Sequence, residues 1–129
     1  MQYKTKTIHA KFDRNEIKIL QFLCNISKRV YNRGLANIKS NYETTNRIIN
    51  KFDNYKQLKN IELSYFINSE MFQKTLYRLN ATIDSYFELK KLGLNPNFPS
   101  FLNKKYYPIM FSYLGIKKDN QRKYLEDFA

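Results

Sequence analysis

Between Ile17 and Ile38 the apolar residues recur at spacings of three and four: Ile17, Leu20, Leu23, Ile26, Val30, Leu35 and Ile38, with Ser27 and Tyr31 on the same stripe. A period near 3.6 places them on one side of an α-helix, whereas a strand would scatter them over both faces. Just upstream, Asp13 followed three residues later by Glu16 has the form of a capping box. The spacing predicts one long amphipathic helix over 14–41, with Gly34 tolerated inside it. A second stripe, Phe72, Leu76, Leu79, Ile83 and Tyr86 with Phe87, predicts another helix. Ser69 is its expected N-cap, Glu70 suits the dipole in its first turn, and Gly93 fits the position just past its end.

The intervening segment reads as two short helices, 44–52 and 55–67, separated by Asp53-Asn54 as an Asx-type breaker. Residues 3–12 alternate in character and include Thr5, Thr7 and Ile8, which predicts a strand with one apolar end. Beyond Gly93, Asn95-Pro96-Asn97-Phe98-Pro99 cannot be helical, because proline lacks the N–H and restrains the residue before it. The aromatic run from Tyr106 to Tyr113 is strand-like, and 121–128 suits a short helix. The expected fold class is α+β: terminal strands that pair, with the helices as an insertion.

Of the 129 residues, 43% are apolar and 16% aromatic, too many for a disordered tail, so the charge belongs on a folded surface. A single cysteine, Cys24, leaves no internal disulfide and no cysteine-based zinc site, and one histidine, His9, leaves no second imidazole for a triad. Cytoplasm is the default compartment. No stretch approaches the ~18 apolar residues of a membrane span, and the first twelve residues lack the apolar centre of a signal peptide.

The net charge of +12 is unevenly placed. Residues 1–42 hold nine Lys/Arg against two acids, residues 89–124 eight against one, and residues 43–88 six against six. Two basic segments flanking a neutral middle suggest one positive surface built from both ends, facing a polyanion. Catalytic material is thin. Asp13, Glu16 and Glu70 have helix-terminus roles, and Asp84 with Glu88, four apart on a helix, lack a third ligand for a metal. With three glycines in the chain there is no phosphate-cradling loop. Neither catalysis nor a cofactor is expected.

Nucleic-acid binding has better material. Lys28-Arg29-Val30-Tyr31-Asn32-Arg33 sets two arginines four apart on a helix face with Tyr31 and Asn32 beside them. Arginine forks suit phosphate, exposed rings stack on bases, and an Asn amide pairs with an adenine edge. A plain solvated basic face with Tyr31 in the core has the same spacing. Lys104, Lys105 and Tyr106 come after a proline-rich turn, and Lys4, Lys6 and Lys11 could track a phosphate backbone, although strand edges also carry lysines against aggregation.

Arg29-Val30-Tyr31-Asn32-Arg33-Gly34-Leu35 resembles a stretch on the first long helix of TnpB proteins, RNA-guided nucleases of bacterial insertion sequences related to miniature type V CRISPR effectors. In the same order along the chain, Lys6 to Phe12 resembles the opening strand and Asn54-Tyr55-Lys56-Gln57-Leu58 a further element. Phe72-Gln73-Lys74-Thr75-Leu76, with Leu79, Tyr86 and Phe87, resembles the family's next helix. Phe98-Pro99-Ser100-Phe101-Leu102-Asn103-Lys104-Lys105 resembles its basic Phe-Pro segment, and the run from Ile109 to Tyr113 the strand after that segment. The resemblance implies that 1–13 and 94–129 form a wedge segment, part of an oligonucleotide-binding β-barrel, and that 14–93 form an inserted helical recognition lobe. It further implies that Tyr55, Ser69, Gln73 and Ser112 lie where family members touch a short target-adjacent DNA motif. The family's catalytic carboxylates and zinc ribbon would lie beyond Ala129, so the implied role is a nuclease-less module. Such a module would bind guide-type RNA or target DNA, and would serve as an accessory, regulator or fragment of a full-length effector or self-associate. The rival expectation is a protein-interaction module, such as a phage- or plasmid-encoded inhibitor, docking on an acidic partner.

Overall fold

Asp13 opens the first helix as its sequence predicts: its side chain accepts from the Glu16 amide at 2.8 Å, and the Glu16 carboxylate accepts from the Asp13 amide at 3.2 Å. The Glu16 amide, and after it the Glu16 side chain, hold the Asp13 carboxyl below the usual carboxylate range. The structure, a computed structural model, describes residues 11–109. Helix α1 runs Arg14–Thr45, four residues past its expected end, and closes on Asn46 in the left-handed conformation (φ 59°). Helix α2 is Lys51–Leu58, a 3-10 turn comes next at Glu62–Tyr65, and α3 spans Ser69–Lys91. Gly93, at φ 82°, lies just past α3 in the left-handed region that favours glycine.

The middle of the chain departs from expectation. Asp53-Asn54 does not break a helix but lies inside α2, whose N-cap is Asn50, with its side chain accepting from the Asp53 amide at 2.9 Å. Asn54 is tolerated there because tertiary partners satisfy its amide. Its Oδ1 accepts from Asn37 Nδ2 at 2.8 Å, and its Nδ2 donates to Asn80 Oδ1 at 3.4 Å. Asn80 Nδ2 in turn donates to the Ile49 carbonyl at 3.0 Å, so a polar ladder ties the three helices together across a buried layer. Likewise Asn68, not Ser69, caps α3, accepting from the Glu70 amide at 2.7 Å.

Two apolar clusters make the core. Ile26, Val30, Leu58, Leu63, Ile67, Met71, Phe72 and Leu76 form the first; Tyr31, Leu35, Ile38, Leu79 and Ile83 form the second. Low-numbered α1 residues meet low-numbered α3 residues and high meet high, so the two long helices lie parallel, with α2 as the return path. Gly34 is a point of close approach between them. A Cβ there would stand 2.5 Å from Leu76 Cδ2 and 2.8 Å from Leu79 Cδ2, both fully buried, so the missing side chain is what allows contact.

Residues 94–109 have no regular structure and run back along α1 in the opposite direction. Phe98, Leu102 and Tyr107 pack on the second cluster and Ile109 on the first. The expected α+β arrangement with a partial β-barrel is therefore overturned: the described residues are helical, with no strand, sheet or barrel among them. The physical reason is visible in the backbone. Between Leu102 and Pro108 its polar groups go to α1, to Asn25, Ser27, Asn32 and the Cys24 carbonyl, not to a partner strand. Of the strand-like run 106–113, residues 106–109 are irregular; residues 110–113, most of the 3–12 strand and the 121–128 helix lie outside the described residues.

Candidate nucleic-acid interface

Two asparagines on α1, Asn25 and Asn32, clamp the returning segment. They are seven residues apart and so lie on one side of the helix, two turns from each other. Asn25 Nδ2 donates to the Lys105 carbonyl at 2.9 Å. Asn32 makes both of its bonds to Leu102, donating to the carbonyl at 3.0 Å and accepting from the amide at 2.8 Å. Beside these anchors the Tyr107 amide donates to the Cys24 carbonyl at 3.1 Å, Ser27 Oγ donates to the Pro108 carbonyl at 3.0 Å, and Tyr31 meets Tyr107 with ring centroids 5.0 Å apart.

Lys28 and Arg29 occupy the α1 turn between the two anchors, and Lys104 and Lys105 lie in the clamped segment above it. Two basic motifs more than seventy residues apart in sequence are thus carried on one stretch of α1 and on the backbone tied to it. Arg29, Lys104, Lys105 and Tyr106 are exposed and Lys28 is half-buried. Arg29 and Lys28 also line a cleft of about 340 Å³ together with Asn32, Arg33, Glu62 and Leu63. Over residues 11–109 there are 17 Lys/Arg against eight Asp/Glu, so most cations here have no acid to neutralise them.

The remaining candidates fall elsewhere or are already engaged. Arg33 pairs with Glu62 at 2.8 Å, both exposed, an arrangement that adds little to stability. The Glu62 carboxyl is held below its ordinary value by its own backbone N–H and then by Arg33. Tyr31 is 6% exposed and belongs to the core, so its ring is not presented to a base. Burial pushes the Tyr31 and Tyr107 phenols above their ordinary value, while Arg78 beside them pulls the other way. The Asn32 amide, committed at both ends to Leu102, is not available to an adenine edge while that segment is seated. Tyr55 is half-buried with its ring edge-on to Phe72 at 6.1 Å. Gln73 Nε2 donates to Tyr77 Oη at 2.8 Å, and Ser69, one turn before it, is exposed at the start of α3. Lys11 is exposed ahead of α1; Lys4, Lys6 and Ser112 lie outside the described residues. Among the described residues no group of three metal-ligating side chains occurs. Asp84 and Glu88 are exposed on α3, Glu88 standing 3.8 Å from Lys91.

Sequence reasoning passes over Asn25 and Lys39. The seven-residue repeat of Asn25 and Asn32 beside an apolar stripe is the available signal. Lys39 extends the same side of α1, its ammonium 4.6 Å from the Phe101 ring centroid. The clamp gives a direct test. Asn32→Ala should leave the Leu102 amide and carbonyl without their partner, lowering stability by about 1–3 kcal/mol and speeding amide exchange at Leu102 and Tyr107. Unchanged exchange there would mean the segment is held by something other than these bonds.

No helix among the described residues is long and apolar enough to cross a membrane. Comparisons with protein-family models, with curated proteins and with solved structures found no match to this chain.

Proposed function

We propose that this chain is a non-catalytic nucleic-acid-binding module that holds RNA or DNA by its phosphates along the clamped side of α1. The observation supporting this reading is that the Asn25 and Asn32 bonds tie the segment carrying Lys104 and Lys105 to the part of α1 that carries Lys28 and Arg29. Four cations, two on one turn of α1 and two on the chain tied to it, match a repeating row of phosphates better than a single carboxylate. The large excess of Lys/Arg over acids adds long-range attraction for a polyanion. The resemblance to RNA-guided nucleases, in its ordered series of motifs, supports guide-type RNA or its DNA target as the ligand. Base reading at Gln73 and Tyr55 is secondary, since both side chains already have partners within the protein.

The test is a salt titration. Anisotropy of a fluorescein-labelled single-stranded 12-mer should report binding that weakens steeply with KCl, with a log–log slope of about −3 if four phosphates are neutralised. A flat response between low and physiological salt would remove the proposal. A second reading, docking on an acidic protein, draws on the exposed rings of Phe22, Phe66 and Tyr65, the last 85% exposed. The native protein released from nuclease-free lysate separates the two: bound material absorbing at 260 nm supports the first, and its absence the second.

A further inference from the structure

A cleft of about 340 Å³ opens beyond the Asn32 clamp, between the last turns of α1, the last turns of α3 and the start of the returning segment. Its walls are largely aromatic: Tyr42 from α1, Tyr86 and Phe87 from α3, and Phe98 from the segment. Tyr86 packs edge-to-face on both Phe87 (5.0 Å) and Phe98 (5.1 Å), which fixes the orientation of three of the four rings. Tyr42 is 48% exposed and stands as the open wall. Two ammonium groups mark the rim. Lys90 Nζ lies 5.7 Å from the Tyr86 ring centroid, and Lys39 Nζ lies 6.0 Å from that of Phe98. One carboxylate, Glu43, also lines the opening, leaving the rim with a net positive charge.

Lys39 sits two turns beyond Asn32 on α1, so the rim continues the cationic side of the helix that carries Lys28 and Arg29. We propose that the cleft receives one unstacked base from a single nucleic-acid strand whose phosphates run along that side, with Lys39 and Lys90 holding the phosphates that flank the inserted base. This rests on the nucleic-acid reading above and adds to it a site and a strandedness. The chemistry is specific in kind: a flat π-system can lie against this fixed aromatic wall, with Tyr42 on the open side, and an anion on either side of it meets an ammonium. An aliphatic or neutral ligand would satisfy the walls but leave the two lysines unused. A duplex would keep its bases stacked and out of reach, so single strands should be preferred.

The experiment compares an intact single-stranded 12-mer with an abasic 12-mer of the same sugar–phosphate length, by anisotropy at fixed salt. The wild-type protein should hold the intact strand about tenfold more tightly. Tyr42→Ala, whose ring is half-exposed, should bring the intact strand down to the abasic level without changing the abasic affinity. Tyr86→Ala should do the same, and circular dichroism of both variants checks that the helices persist. Equal affinity for the two strands on wild-type protein would overturn base capture while leaving the phosphate reading in place. An undiminished preference for the intact strand in folded Tyr42→Ala and Tyr86→Ala would put the bases elsewhere and overturn it too. Failure of both strands to bind would remove both proposals together. Competition by adenosine monophosphate as effective as the 12-mer would mean a free nucleotide fills the cleft, which overturns the strand reading.

Discussion

Phe72→Ala should lower the stability of this protein by about 3–5 kcal/mol, a fall in Tm of roughly 12–20 °C for a domain of this size. Phe72 is 1% exposed and lies in the first cluster, next to Met71 on α3 and facing the Tyr55 ring of α2. Truncation removes most of the side chain's apolar burial and leaves a hole that neighbouring α1, α2 and α3 residues cannot all close at once. The natural control is Phe22→Ala. Phe22 is 49% exposed and meets Phe66 edge-on at the surface, so its loss should cost less than about 1 kcal/mol. Thermal denaturation monitored at 222 nm checks both. Equal shifts for the two variants would show that α3 is not seated on α1 and α2 through Phe72.

Charge reversal at Lys28→Glu with Arg29→Glu should weaken binding of the single-stranded 12-mer about 100-fold near physiological salt. Two charge-assisted contacts at about 1.5 kcal/mol each give that factor. The salt slope should flatten by about 0.7 for each cation lost. Neither residue belongs to an ion pair among the described residues, and Arg29 is exposed, so Tm should hardly move. Arg33→Ala is the informative contrast. Its guanidinium is already held by Glu62 at 2.8 Å, so its removal should change affinity much less than loss of Arg29. A doubly reversed protein that still binds as tightly as the parent would place the phosphates on another surface.

The parts of this molecule legible in the sequence are those set by short-range rules. The α1 stripe from Leu23 to Ile38 and the α3 stripe from Phe72 to Ile83 are buried as their spacing predicts, and the Asp13–Glu16 box starts α1 where its residues place it. The candidate interface is half legible. Lys28, Arg29, Lys104 and Lys105 stand out as basic motifs, but the side chains that join them, Asn25 and Asn32, carry no charge and read as ordinary surface residues or base readers. Tyr31 is ambiguous in the sequence because one helical position serves equally a core ring and an exposed one; its place in the second cluster, with Tyr107 packed against it, makes it core.

Asp53-Asn54 and residues 94–109 show where local reasoning stops. In isolation an Asx pair competes with the helix for its own backbone, and an aromatic run after prolines suits a strand. Here Asn37 and Asn80 satisfy Asn54, so the backbone is free to stay helical. The side of α1 next to the apolar stripe gives Phe98, Leu102 and Tyr107 a surface to pack on and Leu102 and Tyr107 hydrogen-bond partners, so no strand partner is needed among the described residues. The periodicity of the two long helices, the Asp13 capping box and the charge sign depend on neighbours a few residues away, and the amino-acid order alone determined them. The path of α2 and the return of 94–109 along α1 depend on partners 17 to 83 residues distant. Only the folded chain brings those partners within hydrogen-bond range.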